Sequence, residues 1–290
     1  MVLERAWVAP AAGMFALLGF ASPAADVPST SWALCAASST VVAGTLHAPV
    51  EELRAARGSG RYLTATIDVS EVLKGERSEG AAVTFFSEDR GYAPKSEQLV
   101  ALDGKAVLLF LTAVAADSSS ATTNSYFAGY TADALRARSE PQLTEIRAEI
   151  ARQARVLRNW QPHPDWPHEA AVKALIEKML VRTTEAGAFR ELEHLGPSAV
   201  PAIVDLMDDR RSLGGAMLVL TNGPGAFEAH RIYGPHLVVD ALAAMLNQLT
   251  GATFGQISNG GTERQRRLAV DGWRIYVDMQ RNHTKPQAVP

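Results

Sequence analysis

Four side chains that can ligate a metal stand close together in the chain: His163, Asp165, His168 and Glu169. Imidazole nitrogens and carboxylate oxygens can hold zinc. The stretch NWQPHPDWP over 159–167, which carries the first two and ends next to the other two, also contains three prolines. Proline fixes φ and biases the preceding residue toward extended backbone, so the four groups need not converge. Linker polars and helix-capping groups account for them better than a metal site does. His230 and His236 flank Tyr233-Gly234-Pro235, where a loop site or a turn before a helix fits the same residues. His194, next to Leu195-Gly196, suits a helix C-terminus, where a cation is stabilised.

Two further groups can meet a partner. Arg264, Arg266 and Arg267 form a small basic cluster able to take a phosphate or an acidic surface, and Arg210-Arg211 is a second. Trp160 and Trp166 flank the proline-rich stretch; they can stack on a sugar or peptide, or pack the stretch onto its neighbours. No G-x-S-x-G elbow, P-loop, H-E-x-x-H or C-x-x-C is present. The expectation is a protein that is not an enzyme, with no cofactor and no metal.

The elements that must position these groups follow from composition and periodicity. The chain has 290 residues, 47% of them hydrophobic, which argues against wholesale disorder. A formal charge of -3, spread evenly, argues against a nucleic-acid binder. Residues 1–25 follow the tripartite pattern of a secretory signal peptide. Arg5 is followed by an apolar run from Ala6 to Phe20 and by small residues at Ala21, Ser22, Ala24 and Ala25. Export to the periplasm or the extracellular space is therefore expected. The lone Cys35 then faces an oxidising space, as a buried structural thiol or as half of an intermolecular disulfide.

From about Ser38 to Ala132 the sequence predicts strands. STVVAGTL (39–46) is β-branched, and RYLTATIDVSEVL (61–73) alternates, with Thr64, Thr66 and Asp68 on one side and Ala65, Ile67 and Val69 on the other. AAVTFFS (81–87), the apolar KAVLLFLTA (105–113) and SYFAGY (125–130) complete five strands, with Asp103-Gly104 as a hairpin-type turn. The polar stretch 114–124 reads as a surface loop. A helix starts at Ser139, with Gln142 as its capping-box partner and Leu143, Ile146, Ile150 and Leu157 as its apolar stripe. Arg147, Arg152, Arg155 and Arg158 decorate its remainder, as a solvated face or an anion-binding patch. From Trp166 onward the pattern is helical. Stripes run through Val172, Leu175, Ile176 and Met179, through Val200, Ile203, Val204 and Met207, and through Val239, Leu242, Leu246 and Leu249. Gly214–Gly225 is a looser stretch, and Thr262 with Gln265 caps the last helix.

STVVAGTLH (39–47), YLTATIDVSEVLKG (62–75), AVTFFS (82–87) and LDGKAVLLFL (102–111) resemble the netrin-like, tissue-inhibitor-of-metalloproteinases type of OB barrel. In that inhibitor family the mature N-terminal cysteine chelates the protease zinc and several disulfides brace the fold. Here Cys35 lies about ten residues inside the expected mature N-terminus and has no second cysteine to pair with, so the resemblance implies fold rather than inhibition. LGPSAVPAIVDLMDD (195–209) is similar to a HEAT-like repeat unit, a type that usually offers a surface to another macromolecule.

The sequence therefore predicts an α+β chain in four segments: a signal peptide (1–25), an OB-like five-stranded β-barrel with a C-terminal helix (26–158), a Pro/Trp linker (159–167) and a small all-α HEAT-like domain (168–290). The expected function is an exported, non-catalytic binding or scaffold protein whose partner is a protein. One alternative is a protease-inhibitor-like protein that needs an exposed ridge near residues 26–38. The other is a metal-dependent enzyme or hydrolase that needs His163/His168 or His230/His236 to meet carboxylates.

Overall fold

The computed structural model describes residues 30–51, 62–75, 82–86, 96–113, 126–128, 132–215, 217–221 and 230–284. The signal-peptide assignment and the 114–124 loop lie outside these residues. The chain is a mixed α+β protein, as expected.

In the first half, helix α1 (Ser31–Ala37) leads into β1 (Thr40–His47), β2 (Tyr62–Lys74) and β3 (Ala82–Phe86). Helix α2 (Ser96–Leu102), β4 (Ala106–Ala113), β5 (Tyr126–Ala128) and β6 (Leu135–Ala137) follow. The strands form one sheet in the order β1-β2-β3-β5-β4-β6, and β4 pairs with β1 as well. All pairs are antiparallel except β3–β5.

The apolar runs of β1 and β4 have a simple cause: both faces of these strands are covered. Val42, Leu46, Val107, Leu109 and Leu111 pack on one face with Ala65, Ile67, Leu99 and Leu135. Val41, Ala43, Leu108 and Phe110 pack on the other against Leu34 and Cys35 of α1 and against Leu143 and Ile146. The β2 alternation appears where expected, with Ala65 and Ile67 buried and Thr66 and Asp68 exposed. Gly44 is required by close approach: a Cβ there would sit 2.3 Å from the Asp68 carbonyl oxygen, next to a register shift in the β1–β2 pairing. Two elements correct the sequence reading. Asp103-Gly104 ends α2 rather than turning a hairpin, and the Asp103 carboxylate accepts the Ala48 backbone N–H at 2.8 Å. Strand β6 is a sixth strand, beyond the five that the sequence predicts.

Helix α3 (Glu140–Arg158) joins the halves. Its stripe is shared: Leu143 and Ile146 face the sheet, while Leu157 packs into the helical core. The capping box at its start is not formed. The Ser139 hydroxyl instead donates to the Gln142 Oε1 at 3.0 Å. Beyond it come α4 (Glu169–Met179), α5 (Glu185–His194), a 3-10 turn at Pro197–Ala199 and α6 (Val200–Asp205). Then come β7 (Leu218–Thr221), β8 (His230–Tyr233), α7 (Val238–Thr250) and α8 (Glu263–Thr284). The β7–β8 pair corrects the expectation of an all-helical second half. At α8 the capping box is reciprocal: Thr262 Oγ1 accepts the Gln265 N–H at 3.3 Å, and Gln265 Oε1 accepts the Thr262 N–H at 2.8 Å.

The helical core is continuous from Val172 on α4 to Val277 on α8, and it extends back to Ala36 and Trp32 of α1. Helix α1 thus packs against α3, α8 and β4. The Cys35 carbonyl accepts the Lys74 ammonium at 2.6 Å, Gln153 donates to the Trp32 carbonyl at 2.8 Å, and the Trp32 and Tyr276 rings lie 6.3 Å apart. No described helix is long and apolar enough to cross a membrane.

Candidate functional site

The 159–167 segment is held by one carboxylate. Asp205, at the end of α6, accepts the His163 backbone N–H at 2.6 Å. Burial pushes the Asp205 carboxyl above its ordinary range, while the His163 N–H and the approaching Trp166 and Trp160 indoles pull it down. The two indole N–H groups come close to this carboxylate without reaching hydrogen-bond geometry, and Asp205 Oδ1 has no partner among the described residues. The prolines preset the extended backbone, Asp205 anchors its centre, and both tryptophans pack half-buried against the helical core.

Above this anchored segment lies an open groove of about 530 Å³. Arg152, Arg155, Val156 and Asn159 at the end of α3 form one wall, and Asp278, Arg281 and Asn282 of α8 form the other. Trp160, Gln161, His163 and Trp166 line it from the linker. The Arg281 guanidinium lies 5.0 Å from the centroid of the Trp166 ring, and the His163 ring lies 4.9 Å from the same indole. The Arg274 guanidinium approaches Trp160 at 5.8 Å. Arg152 is engaged three ways: it meets both Glu149 carboxylate oxygens at 2.8 Å and Asp278 at 2.6 Å. Hydrogen bonding to Glu149 raises its pKa first, burial opposes it, and Asp278 adds to the rise. Arg155 is exposed and makes no ion pair among the described residues.

The metal candidates do not converge. His163 faces Trp166, and Asp165 is exposed. His168 caps α4 with φ +67° and reaches the Ser198 hydroxyl at 3.1 Å, and Glu169 pairs with Lys173. Among the described residues no three His, Cys, Asp or Glu side chains gather as metal ligands would. His230 is exposed on β8, while His236 sits against Gly260, where a Cβ would meet its ring at 2.7 Å.

The basic cluster divides. Arg266 is not a surface residue: it grips the fully buried Asp240 through two contacts of 2.8 and 2.9 Å. Arg264 and Arg267 remain exposed, away from the groove lining. Of the partner-binding candidates, only Trp160 and Trp166 reach the groove. The α3 arginines that join them read in the sequence only as decoration on a helix, and Arg281 carries no local sequence signal.

A second surface is apolar. On the hairpin, Leu218, Leu220 and Tyr233 face inward, and the Tyr233 hydroxyl donates to Asn247 Oδ1 at 3.1 Å. The opposite face presents Val219 paired with Ile232, with Met217 beside them, and these are 52%, 47% and 64% exposed.

Near the expected mature N-terminus there is no exposed ridge in Ser31–Ala37. Leu34, Cys35 and Ala36 are buried, and burial pushes the Cys35 thiol up to about 12. The geometry that a cysteine-led inhibitor would need is therefore not present in this helix. No family model and no curated protein matches the chain.

Proposed function

We propose that this is an exported, non-catalytic binding protein, in which an OB-like five-stranded barrel is fused to a HEAT-like helical unit that docks a protein partner. Two features support the architecture. The pairings β1–β2, β2–β3, β3–β5, β5–β4 and β4–β1 lead from each strand to the next and back to the first, the circuit expected of a closed sheet. In the second half, the Gly196-Pro197 break between α5 and α6 suits a helix-turn-helix repeat.

The observation that carries the binding function is the outward face of the β7–β8 hairpin. Val219 and Ile232 on the outer face of the two-stranded sheet, with Met217 just before β7, are large apolar side chains exposed to solvent. Clustered exposed apolar surface of this kind marks interaction sites. The alternating inner residues are spent on the core, so the outer ones are free of any folding role.

The test is capture from the native exported fraction with the wild-type protein and with Val219→Asp/Ile232→Asp. The variant should keep the wild-type circular dichroism spectrum and melting temperature but lose the captured partner. Equal capture by both proteins, or no capture by folded wild type, would overturn the reading.

A further inference from the structure

We propose that Asp205 and Glu169 form a proton-binding site beneath the 159–167 segment, and that one proton held between them tightens the segment onto the helical core. The site uses none of the hairpin residues and does not depend on the hairpin reading.

Two buried oxygens come first. Asp205 ends α6 and Glu169 begins α4, and these two helices pack together. Each carboxylate uses one oxygen on a partner. Asp205 Oδ2 accepts the His163 backbone N–H, and Glu169 Oε1 meets the Lys173 ammonium. The other oxygens, Asp205 Oδ1 and Glu169 Oε2, are buried with no hydrogen-bond partner among the described residues. Two ionised carboxylates cannot satisfy each other, because both only accept. One proton changes this, since a carboxyl donates to a carboxylate in a short, charge-assisted bond. Placed on Asp205 Oδ1, the proton leaves Oδ2 to keep the His163 N–H.

The surroundings come second. Burial acts most strongly on Asp205 and pushes its carboxyl up, and the Glu169 charge pushes the same way. The N–H groups of His163, Trp166 and Trp160 pull it down without cancelling the rise. The other charged groups on the neighbouring elements are occupied elsewhere or lie in solvent. On the segment, His163 turns its ring to Trp166 and Asp165 is exposed. On α4, Lys173 pairs with Glu169 and His168 reaches Ser198. On α7, Asp240 is held by Arg266. From α8, Arg274 pairs with Asp208, and Arg281 lies over Trp166.

With the segment docked, Asp205 keeps its proton to a higher pH than an aspartate in water does. The docked form therefore binds the proton more tightly than the undocked form. Docking strengthens as pH falls from neutral into the range just above an ordinary aspartate, and it weakens as pH rises through that range. Asp205 anchors the stretch that joins α3 to α4, so the proton sets how firmly this junction and the floor of the groove are held.

The experiment is amide hydrogen exchange at His163, read by NMR from about pH 7 to about pH 4.5 and corrected for the chemical exchange rate, together with a carboxyl-carbon titration of Asp205. The His163 amide should be several-fold better protected at the acidic end, relative to the centre of α7 as the reference for global opening. The Asp205 carboxyl should titrate above an ordinary aspartate. Asp205→Asn puts a permanent donor where the proton sits, so its His163 amide should be at least as protected as in wild type at neutral pH, with a flat profile. Glu169→Gln should lower the Asp205 midpoint and flatten the profile. Asp165→Asn, on the same segment but exposed, should keep the wild-type profile. Val219→Asp/Ile232→Asp should keep it as well, so failure of the hairpin reading and failure of this one are separately visible. Melting curves establish that each variant folds. An Asp205 midpoint at or below that of an ordinary aspartate, a flat wild-type profile, or an unchanged profile in Asp205→Asn would overturn the proposal. So would an unchanged Asp205 midpoint in Glu169→Gln, which would remove Glu169 from the site.

Discussion

An arginine grips a carboxylate in both halves of the molecule, at very different depths of burial. In the helical half, Arg266 meets Asp240, with the arginine side chain 12% exposed and the aspartate fully buried. In the sheet half, Arg147 of α3 meets Glu71 of β2 with the same forked geometry, but the side chains are 47% and 30% exposed. Between them, at the junction, Arg152 bridges Glu149 and Asp278 at intermediate burial. One chemistry thus serves three purposes. Inside the core it satisfies a charge that could not otherwise stay there, at the junction it joins two helices, and on the surface it only decorates.

The buried pair should give the largest effect. Asp240 also accepts the backbone N–H groups of His236 and Leu237, so it closes the start of α7 while holding Arg266. Arg266→Met keeps the bulk of the side chain and leaves a buried carboxylate without its counter-charge. It should cost about 3–5 kcal/mol in urea unfolding. A loss below about 1 kcal/mol would show that the two N–H groups alone satisfy Asp240, and the contrast between buried and exposed pairs would fail.

Arg152→Ala should fall in between, at about 1–3 kcal/mol, because it removes charge-assisted hydrogen bonds that are only partly screened. Its position predicts where the loss appears. Amide hydrogen exchange should quicken across 159–167 and the last turns of α3 and α8, with β1 and the centre of α7 unchanged. Uniform acceleration through the whole molecule would mean that the junction is not a separate unit of stability.

These three pairs also mark how far the sequence could be read. The strands were legible because two covered faces or one leave different patterns: β1 and β4 carry unbroken apolar runs at 41–43 and 106–111, and β2 alternates. The helical stripes were legible for the same reason, since Val172, Val200 and Val239 with their in-phase neighbours are buried, save Leu249 near the end of α7, which is half-buried. The β7–β8 hairpin was not legible, because a four-residue apolar run between glycines fits a strand or a buried helical turn equally. Arg266 carried a usable signal that charge alone obscured. It lies three, four and seven positions before Ala269, Val270 and Trp273, which places it on the buried stripe of α8, while Arg264 and Arg267 fall off it. The groove carried no local signal beyond its tryptophans. Its walls meet across 126 positions at Arg152 and Asp278, and the Asp205 that anchors its floor lies 42 positions from His163. Spacing along the chain says nothing about groups that only tertiary packing brings together.

The exposed pair should give the smallest effect and the cleanest control. Arg147 spans 76 positions to reach Glu71, and it is the kind of contact that looks decisive in a list of bonds. Both side chains are substantially solvated, however, so water screens their attraction and the ordered arginine loses rotamer freedom. Arg147→Ala should cost no more than about 1 kcal/mol, and the difference from wild type should shrink as sodium chloride rises toward about 1 M, where the screening length falls to a few ångströms. A salt-independent loss of about 2 kcal/mol or more would mean that the α3–β2 contact acts through packing of the arginine stem rather than through its charge. In that case the sheet half would be clamped to α3 as firmly as the helical half is.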